Sequence, residues 1–333
     1  MPVMVAASLR RSPRSSQEWE TMKRVLIAFV VLLGGCTTTG GITTTSMAST
    51  TSPVTTAVTS TTSSTTSTTS STTTTTSTTL PATTTTTAQI GELLVIGDFG
   101  SGGSAEYSVA AAMQSWTQTH DVAAILTTGD DLYTSNVDKA WTIPFGWVAE
   151  AGIPVWVTWG NHDNQRPKAV NTAFGDPPRW SQHQWGNVDV VSVDSTDVGS
   201  NEQEQWLEST LSSATSPMIV AEHYPAYSCS YHGDSTAVRK KWAPLFEQAG
   251  VEMVLAGHEH NYQRFDVGGV EYVVSGGGGA GLYALKDCAT SHPPRVAGDS
   301  IHHFLAIDQD PTGLHVQVVA SDGSIIDTFD VAW

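Results

Sequence analysis

Positive charge is scarce in this chain of 333 residues: 15 Lys and Arg stand against 32 Asp and Glu, for a formal net charge of −17. That balance argues against a binder of duplex nucleic acid, which needs basic surface to neutralise phosphates, and no nucleic-acid partner is expected. It does not exclude an enzyme that handles phosphate groups, because a bound metal reverses the local field. Away from any site, the acidity gives a soluble, self-repelling surface. Cysteine is almost missing, with three in the whole chain. Two motifs are missing as well. No Gly-Lys-Ser/Thr follows the glycine run Gly276–Gly279, so that run is not a P-loop and is expected to permit close backbone approach. No G-x-S-x-G is present, which disfavours a serine hydrolase.

What is present begins with a leader. Met22-Lys23-Arg24 is basic, Val25–Leu33 is apolar, and Leu33-Gly34-Gly35-Cys36 closes the segment. The apolar run is too short to cross a bilayer comfortably and suits the core of a signal peptide. Its ending resembles a bacterial lipobox, in which Cys36 becomes the lipidated first residue of the mature protein. Residues 1–36 are therefore expected to hold a mis-assigned start, with Met22 the true one, and a signal peptide. A plain signal peptide cut nearby, or an uncleaved anchor, is the alternative. Residues 37–88 are almost only Thr and Ser. Nothing there can be buried to offset chain entropy, so a disordered stalk is expected, reaching roughly 40 Å as a flexible coil. The folded domain then spans 89–333. The protein is expected to be exported and held at the cell surface by its lipid, the only membrane contact, and to be a monomer. With Cys36 lipidated, Cys229 and Cys288 remain as a candidate pair in a compartment where disulfides persist. Two unpaired buried thiols are the other reading.

Within the domain, short apolar runs recur and each breaks at a polar cluster. Glu92–Gly100 breaks at Gly97-Asp98, Val122–Tyr133 at Gly129-Asp130, and Ile153–Asp163 at Gly160-Asn161. Ser216–Pro225 breaks at His223, and Val251–His260 at Gly257-His258. Helical stretches fall between them, at about 105–119, 139–151, 202–213 and 237–249. After His260 the pattern turns to strands. Alternating strands and helices imply an α/β fold, expected as a four-layer αββα sandwich of two mixed sheets with helices on both outer faces.

Every one of those strands ends in a residue able to bind metal: Asp98, Asp130 with Tyr133, Asn161 with His162, His223, then His258 and His260. In open α/β sheets, ligands sit outside the carboxyl ends of the strands, so strands of shared orientation bring these groups to one edge. A single Asp after a strand is usually a turn residue. Five such ends in order are much harder to obtain from turn chemistry, and a metal site follows. His302 and His303, at a strand start, read as structural. The tryptophans read as core or substrate-rim residues.

The ordered set G-D-x-G, G-D-x-x-Y, G-N-H-D, V-x-x-H and G-H-x-H resembles the calcineurin-like metallophosphoesterases and, among them, the purple acid phosphatases. His223–Gly233, "HYPAYSCSYHG", is similar to a segment of the small, tartrate-resistant type. The resemblance implies one metal among Asp98, Asp130, Tyr133 and His260 and a second among Asp130, Asn161, His223 and His258, with Asp130 as the bridge. Two carboxylates and a phenolate suit Fe³⁺; two imidazoles, an amide oxygen and a shared carboxylate suit Fe²⁺, Zn²⁺ or Mn²⁺. His162 and His232 are implied to face the substrate, and Asp163 is expected to orient His162 through a hydrogen bond. Asp131 and Glu222 depart from the family's usual Asn and Gly, without removing a ligand. The implied function is an exported acid phosphatase hydrolysing small phosphate monoesters. A phosphodiesterase or nucleotide hydrolase on the same scaffold is the alternative, and a non-catalytic surface adhesin a third reading.

Overall fold

The structure, a computed structural model, describes residues 90–333. The leader, Cys36 and the Thr/Ser tract lie outside the described residues. Two mixed sheets form the centre. The first has the order β13-β12-β11-β1-β2-β3. Its members are β1 (Glu92–Ile96), β2 (Val122–Thr127), β3 (Val155–Trp156), β11 (His303–Asp310), β12 (Gly313–Ala320) and β13 (Ile325–Ala332). The second has the order β10-β8-β9-β7-β6-β5-β4. It comprises β4 (Ser181–Trp185), β5 (Val188–Ser192), β6 (Met218–Ala221), β7 (Met253–Ala256), β8 (Tyr262–Val267), β9 (Val270–Ser275) and β10 (Ala297–Asp299). β1, β2 and β3 run parallel, as do β5, β6, β7 and β9, while β11 and β8 join antiparallel.

Side-chain alternation explains the layering. On β1, Leu93 and Val95 point into a core shared with Val190, Ile219, Met253, Leu255 and Val273 of the second sheet. Leu94 and Ile96 point the other way, against Val109 and Met113 of α1 (Ser104–Trp116) and Phe145 and Val148 of α2 (Ile143–Ala151). On the opposite outer face, Val191, Val220 and Val254 meet Leu207 of α5 (Asn201–Ser213) and Phe246 of α7 (Ala243–Ala249). Strands buried on both faces read as continuous apolar runs, and the result is the expected four-layer αββα sandwich.

Differences from the sequence expectation have local causes. The helix expected over 237–249 is two helices, α6 (Thr236–Lys241) and α7, broken at Trp242. Pro244 lacks the amide proton a continuous helix needs and instead opens α7. The stretch expected from 139 begins with a wide π-type turn, Asp138–Thr142, before α2. The β4–β5 hairpin was missed. Its signal was the Gly186-Asn187 turn, in which Gly186 takes φ +56°, the left-handed conformation that two-residue hairpin loops require. Also missed were β8 and β10, and the short helices α3 (Asn161–Asn164) and α4 (Pro167–Phe174).

Cys229 and Cys288 form a disulfide closing a separation of 59 residues. A loop of that length constrains the unfolded chain by about 3–5 kcal/mol. Replacing both cysteines with serine should lower the unfolding free energy by that order in denaturant titration. A change below about 1 kcal/mol would mean that native packing carries the loop unaided.

Candidate metal centre

The carboxyl ends of β1, β2, β3, β6 and β7 open onto one place, and the turns that leave them are tight. Asp98, Asp130 and His258 hold φ of +55°, +52° and +68°, a region that residues other than glycine seldom enter and that clusters at functional sites. The glycine ahead of each turn is required by contact. A Cβ on Gly160 would lie 2.2 Å from the Asp130 nitrogen, and one on Gly257 would lie 2.5 Å from Asp98 Oδ2. This is why the sequence reads Gly-Asp, Gly-Asp, Gly-Asn and Gly-His at successive strand ends.

Each carboxylate spends one oxygen on the backbone and offers the other to the cleft. Asp98 Oδ2 accepts the His258 amide at 2.9 Å, and Asp130 Oδ1 accepts the His162 amide at 2.6 Å. Asp98 Oδ1 and Asp130 Oδ2 then face the Tyr133 hydroxyl at 3.0 and 3.3 Å. His260 Nε2 faces the same hydroxyl at 2.9 Å and Asp98 Oδ1 at 3.4 Å. His260 Nδ1 lies 2.7 Å from the Gly281 carbonyl, so it carries a proton and Nε2 presents its lone pair. Four electron-rich atoms thus converge with one hydroxyl proton to share.

A second cluster repeats this around the same oxygen. His223 Nδ1 donates to the Thr128 carbonyl at 3.0 Å, which turns Nε2 toward Asn161 Oδ1 at 3.1 Å and Asp130 Oδ2 at 3.4 Å. Ligand atoms of Asp130, His223 and His258 all lie within 4.8 Å of one another. Backbone carbonyls behind His223 and His260 fix ring orientation, as outer partners of metal-bound imidazoles do.

The electrostatics fit cations. Asp98, Asp130 and Asp131 are buried, and among the described residues no Lys or Arg pairs with them. Burial would lower the His223 imidazole, yet Asp130 carries it up to about 9. Burial would raise Asp130, yet His223 brings it down to about 2. The pair holds a proton where a cation would otherwise stand. Burial, then His223 and His232, push His258 down to about 2, leaving it neutral with a free lone pair, the form a metal requires. Burial and the carboxylates of Asp98 and Asp130 push the Tyr133 hydroxyl well above its ordinary value, so ionising it requires positive charge alongside. Buried carboxylates are stable when paired or when they coordinate metal, and this donor set suits two ions sharing Asp130.

The substrate-facing candidates also gather here. The His162 ring packs 4.4 Å from Tyr133, its Nε2 lies 3.9 Å from Asp130 Oδ2, and its Nδ1 has no hydrogen-bond partner. His232 stacks on His258 at 4.2 Å. Asp163 does not orient His162. Its buried carboxylate accepts backbone amides of Gly160, Asp131 and Leu132 at 2.9, 3.1 and 3.0 Å, tying the Asn161 turn to the Asp130 turn. Glu259, unassigned in the sequence, does the same for the His232 loop, accepting amides of Tyr231, His232 and Gly233 at 2.9, 2.5 and 2.6 Å. Its position between His258 and His260 was the available signal: with those two imidazoles turned to the cleft, the intervening side chain faces the opposite way. Tyr283, also missed, stacks on His260 at 4.1 Å, and nothing in the sequence marked it. Asp131 gives Oδ2 to the Thr127 hydroxyl at 3.1 Å, while burial and then Asp163 push its carboxyl well up. Glu222 is fully buried and pushed well up by that burial. His303 is structural, bonded to Ser275 and the Ile301 carbonyl. Cys229, Cys288 and His292 also lie together, but two sulfurs bonded to each other offer no thiolate to a metal.

Comparison with known proteins agrees with this arrangement. The family model described as calcineurin-like phosphoesterase matches residues 91–262. Tartrate-resistant acid phosphatase type 5 of Oryctolagus cuniculus is 29% identical over 251 residues, covering 61% of this chain and 76% of that protein. The Mus musculus protein of the same name is 27% identical over 282 residues, 70% of this chain and 85% of that one. Among solved structures, purple acid phosphatase PPD1 from seeds of yellow lupin (Lupinus luteus) superposes with a TM-score of 0.64 at 17% identity, covering 74% of this chain and 54% of that one. GAP50, the anchor in the inner membrane complex of Plasmodium, gives 0.62 at 19% identity, covering 74% and 89%. At those identities the two structures speak for the fold alone. The family match spans just over half of the chain, from the turn that carries Asp98 to the one that carries His260, and with tartrate-resistant acid phosphatases among its relatives the chain belongs to the calcineurin-like phosphoesterases.

Proposed function

We propose that the protein is an exported acid phosphatase that hydrolyses phosphate monoesters with a dinuclear metal centre. The observation that carries this reading is the pair of electron-rich clusters meeting at Asp130 Oδ2. Asp98, Asp130, Tyr133 and His260 would hold Fe³⁺. Asp130, Asn161, His223 and His258 would hold Fe²⁺, Zn²⁺ or Mn²⁺. When bound, the two ions would neutralise the phosphoryl oxygens and make hydroxide available in acid.

The chain's own residues supply the rest. His162, free of hydrogen bonds at its ring, is placed to protonate the leaving ester oxygen or to hold the phosphoryl group. His232, half-exposed beside His258, flanks the same space. Asp163 acts through the backbone, fixing the Asn161 turn against the Asp130 turn, and is a positioning residue. Similarity to the tartrate-resistant acid phosphatases supports the monoester reading. A fold does not by itself imply an activity, and GAP50 is described as an anchor, so turnover is the necessary test. The metal-loaded protein should have a higher kcat/KM on a phosphate monoester than on a diester with the same leaving group. Preference for the diester would move the reading to a phosphodiesterase, and a loaded but inert protein would favour the adhesin.

Export is supported by the Cys229–Cys288 disulfide, since such bridges persist in oxidising compartments, and by the leader ending at Cys36. Residues 37–88 are proposed as a spacer between the lipid and the domain. Cys36→Ala should release the protein from the membrane fraction or block its processing. Normal processing with full membrane retention would show that the anchor is something else.

A further inference from the structure

Beside the metal centre runs an open cleft of about 790 Å³. One wall is the segment after Tyr133, with Asn136 and Asp138; the other is the segment after His162, with Arg166, Lys168 and Thr172. The two walls follow closely in sequence on Tyr133 and His162, whose rings lie 4.4 Å apart, so the cleft lies on the His162 side of the centre. Its charge runs against that of the chain. Among the described residues, Arg179, Arg239, Lys241 and Arg264 are committed to carboxylates. Arg166 and Lys168, like Lys139, Lys240, Lys286 and Arg295, form no such ion pair, and in the cleft the two together outnumber its one carboxylate, Asp138. Arg166 is also held in place: its Nη1 donates to the His162 carbonyl at 3.1 Å, one helical turn from the imidazole, and its remaining N–H groups stay free.

We propose that this cleft is a second anion subsite, selecting phosphomonoesters whose leaving group carries another phosphate or a carboxylate. The inference rests on the phosphatase reading and adds the substrate class. With a phosphoryl group at the Asp130 centre and His162 at its ester oxygen, the leaving group extends toward Arg166 and Lys168. A guanidinium fixed by one bond and open at its other nitrogens suits a planar or tetrahedral oxyanion. Because both cations are solvent-accessible, each is worth a modest factor. The contact exists in the ground state as well as in the transition state, so it acts on KM more than on kcat.

The test compares matched substrates: glycerol phosphate with phosphoglycerate, and glucose monophosphate with glucose bisphosphate. The metal-loaded wild type should favour the more anionic member by about tenfold in kcat/KM, through KM, and the preference should shrink as salt is added. Lys168→Gln, which leaves the His162 carbonyl bond intact, should cut the ratio about threefold. Arg166→Gln with Lys168→Gln should bring it close to one. Preference for the bisphosphate alone assigns the subsite to phosphate; preference in both pairs assigns it to oxyanions generally. Hydrolysis of all four substrates with a ratio near one, or a ratio that neither variant alters, overturns the subsite and leaves the phosphatase standing. Hydrolysis of none overturns the phosphatase reading and the subsite with it.

Discussion

Asp130→Asn is expected to prevent the two ions from binding together and to lower kcat/KM by about 10³-fold or more. The substitution keeps the shape of the side chain and the oxygen that accepts the His162 amide at 2.6 Å. It replaces Oδ2, which lies 3.3 Å from the Tyr133 hydroxyl and 3.4 Å from His223 Nε2, with an NH₂ group. A donor then points into both clusters, and the negative charge that both ions would share is gone. Metal analysis after dialysis should find at most one ion per chain, with the far-ultraviolet spectrum unchanged. If the variant holds two ions and turns over normally, Asp130 is not the bridge.

His162→Ala should separate chemistry from metal binding. Its imidazole makes no side-chain hydrogen bond, packs on Tyr133 and stands 3.9 Å from Asp130 Oδ2, outside both clusters but beside them. Removing it should reduce kcat by roughly 10²–10⁴-fold, the range for a general acid or base, while both ions stay bound. The deficit should be smaller for substrates with a good leaving group, which need less help from an acid. Loss of metal along with activity would make His162 a ligand, and full turnover would leave it without a role.

The centre was legible in the sequence because its geometry is enforced one residue at a time. A turn that takes Asp98 or His258 to positive φ, with no room for a Cβ on the glycine before it, leaves a Gly-Asp or Gly-His signature at each strand end. Strand runs were legible for a related reason, since burial on both faces leaves them apolar throughout. Residues acting at a distance were not. Asp163 sits in the Gly-Asn-His-Asp motif beside His162 and looked like its partner, yet the start of a short helix turns its carboxylate inward onto the amides of Asp131 and Leu132, 32 and 31 positions away. The cleft cations Arg166 and Lys168 follow no motif, and their relation to the centre arises only when the segments after Tyr133 and His162 come side by side. The break at Trp242 could have been read from Pro244, but the apolar periodicity across it concealed the stop.

Tyr133 offers the most direct test of the central claim, that two ions share Asp130 and one of them is Fe³⁺ on a phenolate. Metal content and visible absorption should be measured together on the purified, active protein and on Tyr133→Phe. If the proposed centre is right, the protein should hold two ions per chain, at least one of them iron, and be pink to violet from charge transfer between the Tyr133 phenolate and Fe³⁺. Tyr133→Phe should lose that colour while Asp98, Asp130 and His260 can still retain a metal. A wild type that is active, fully loaded, free of iron and colourless would contradict the claim and leave a phosphoesterase of divalent ions in its place.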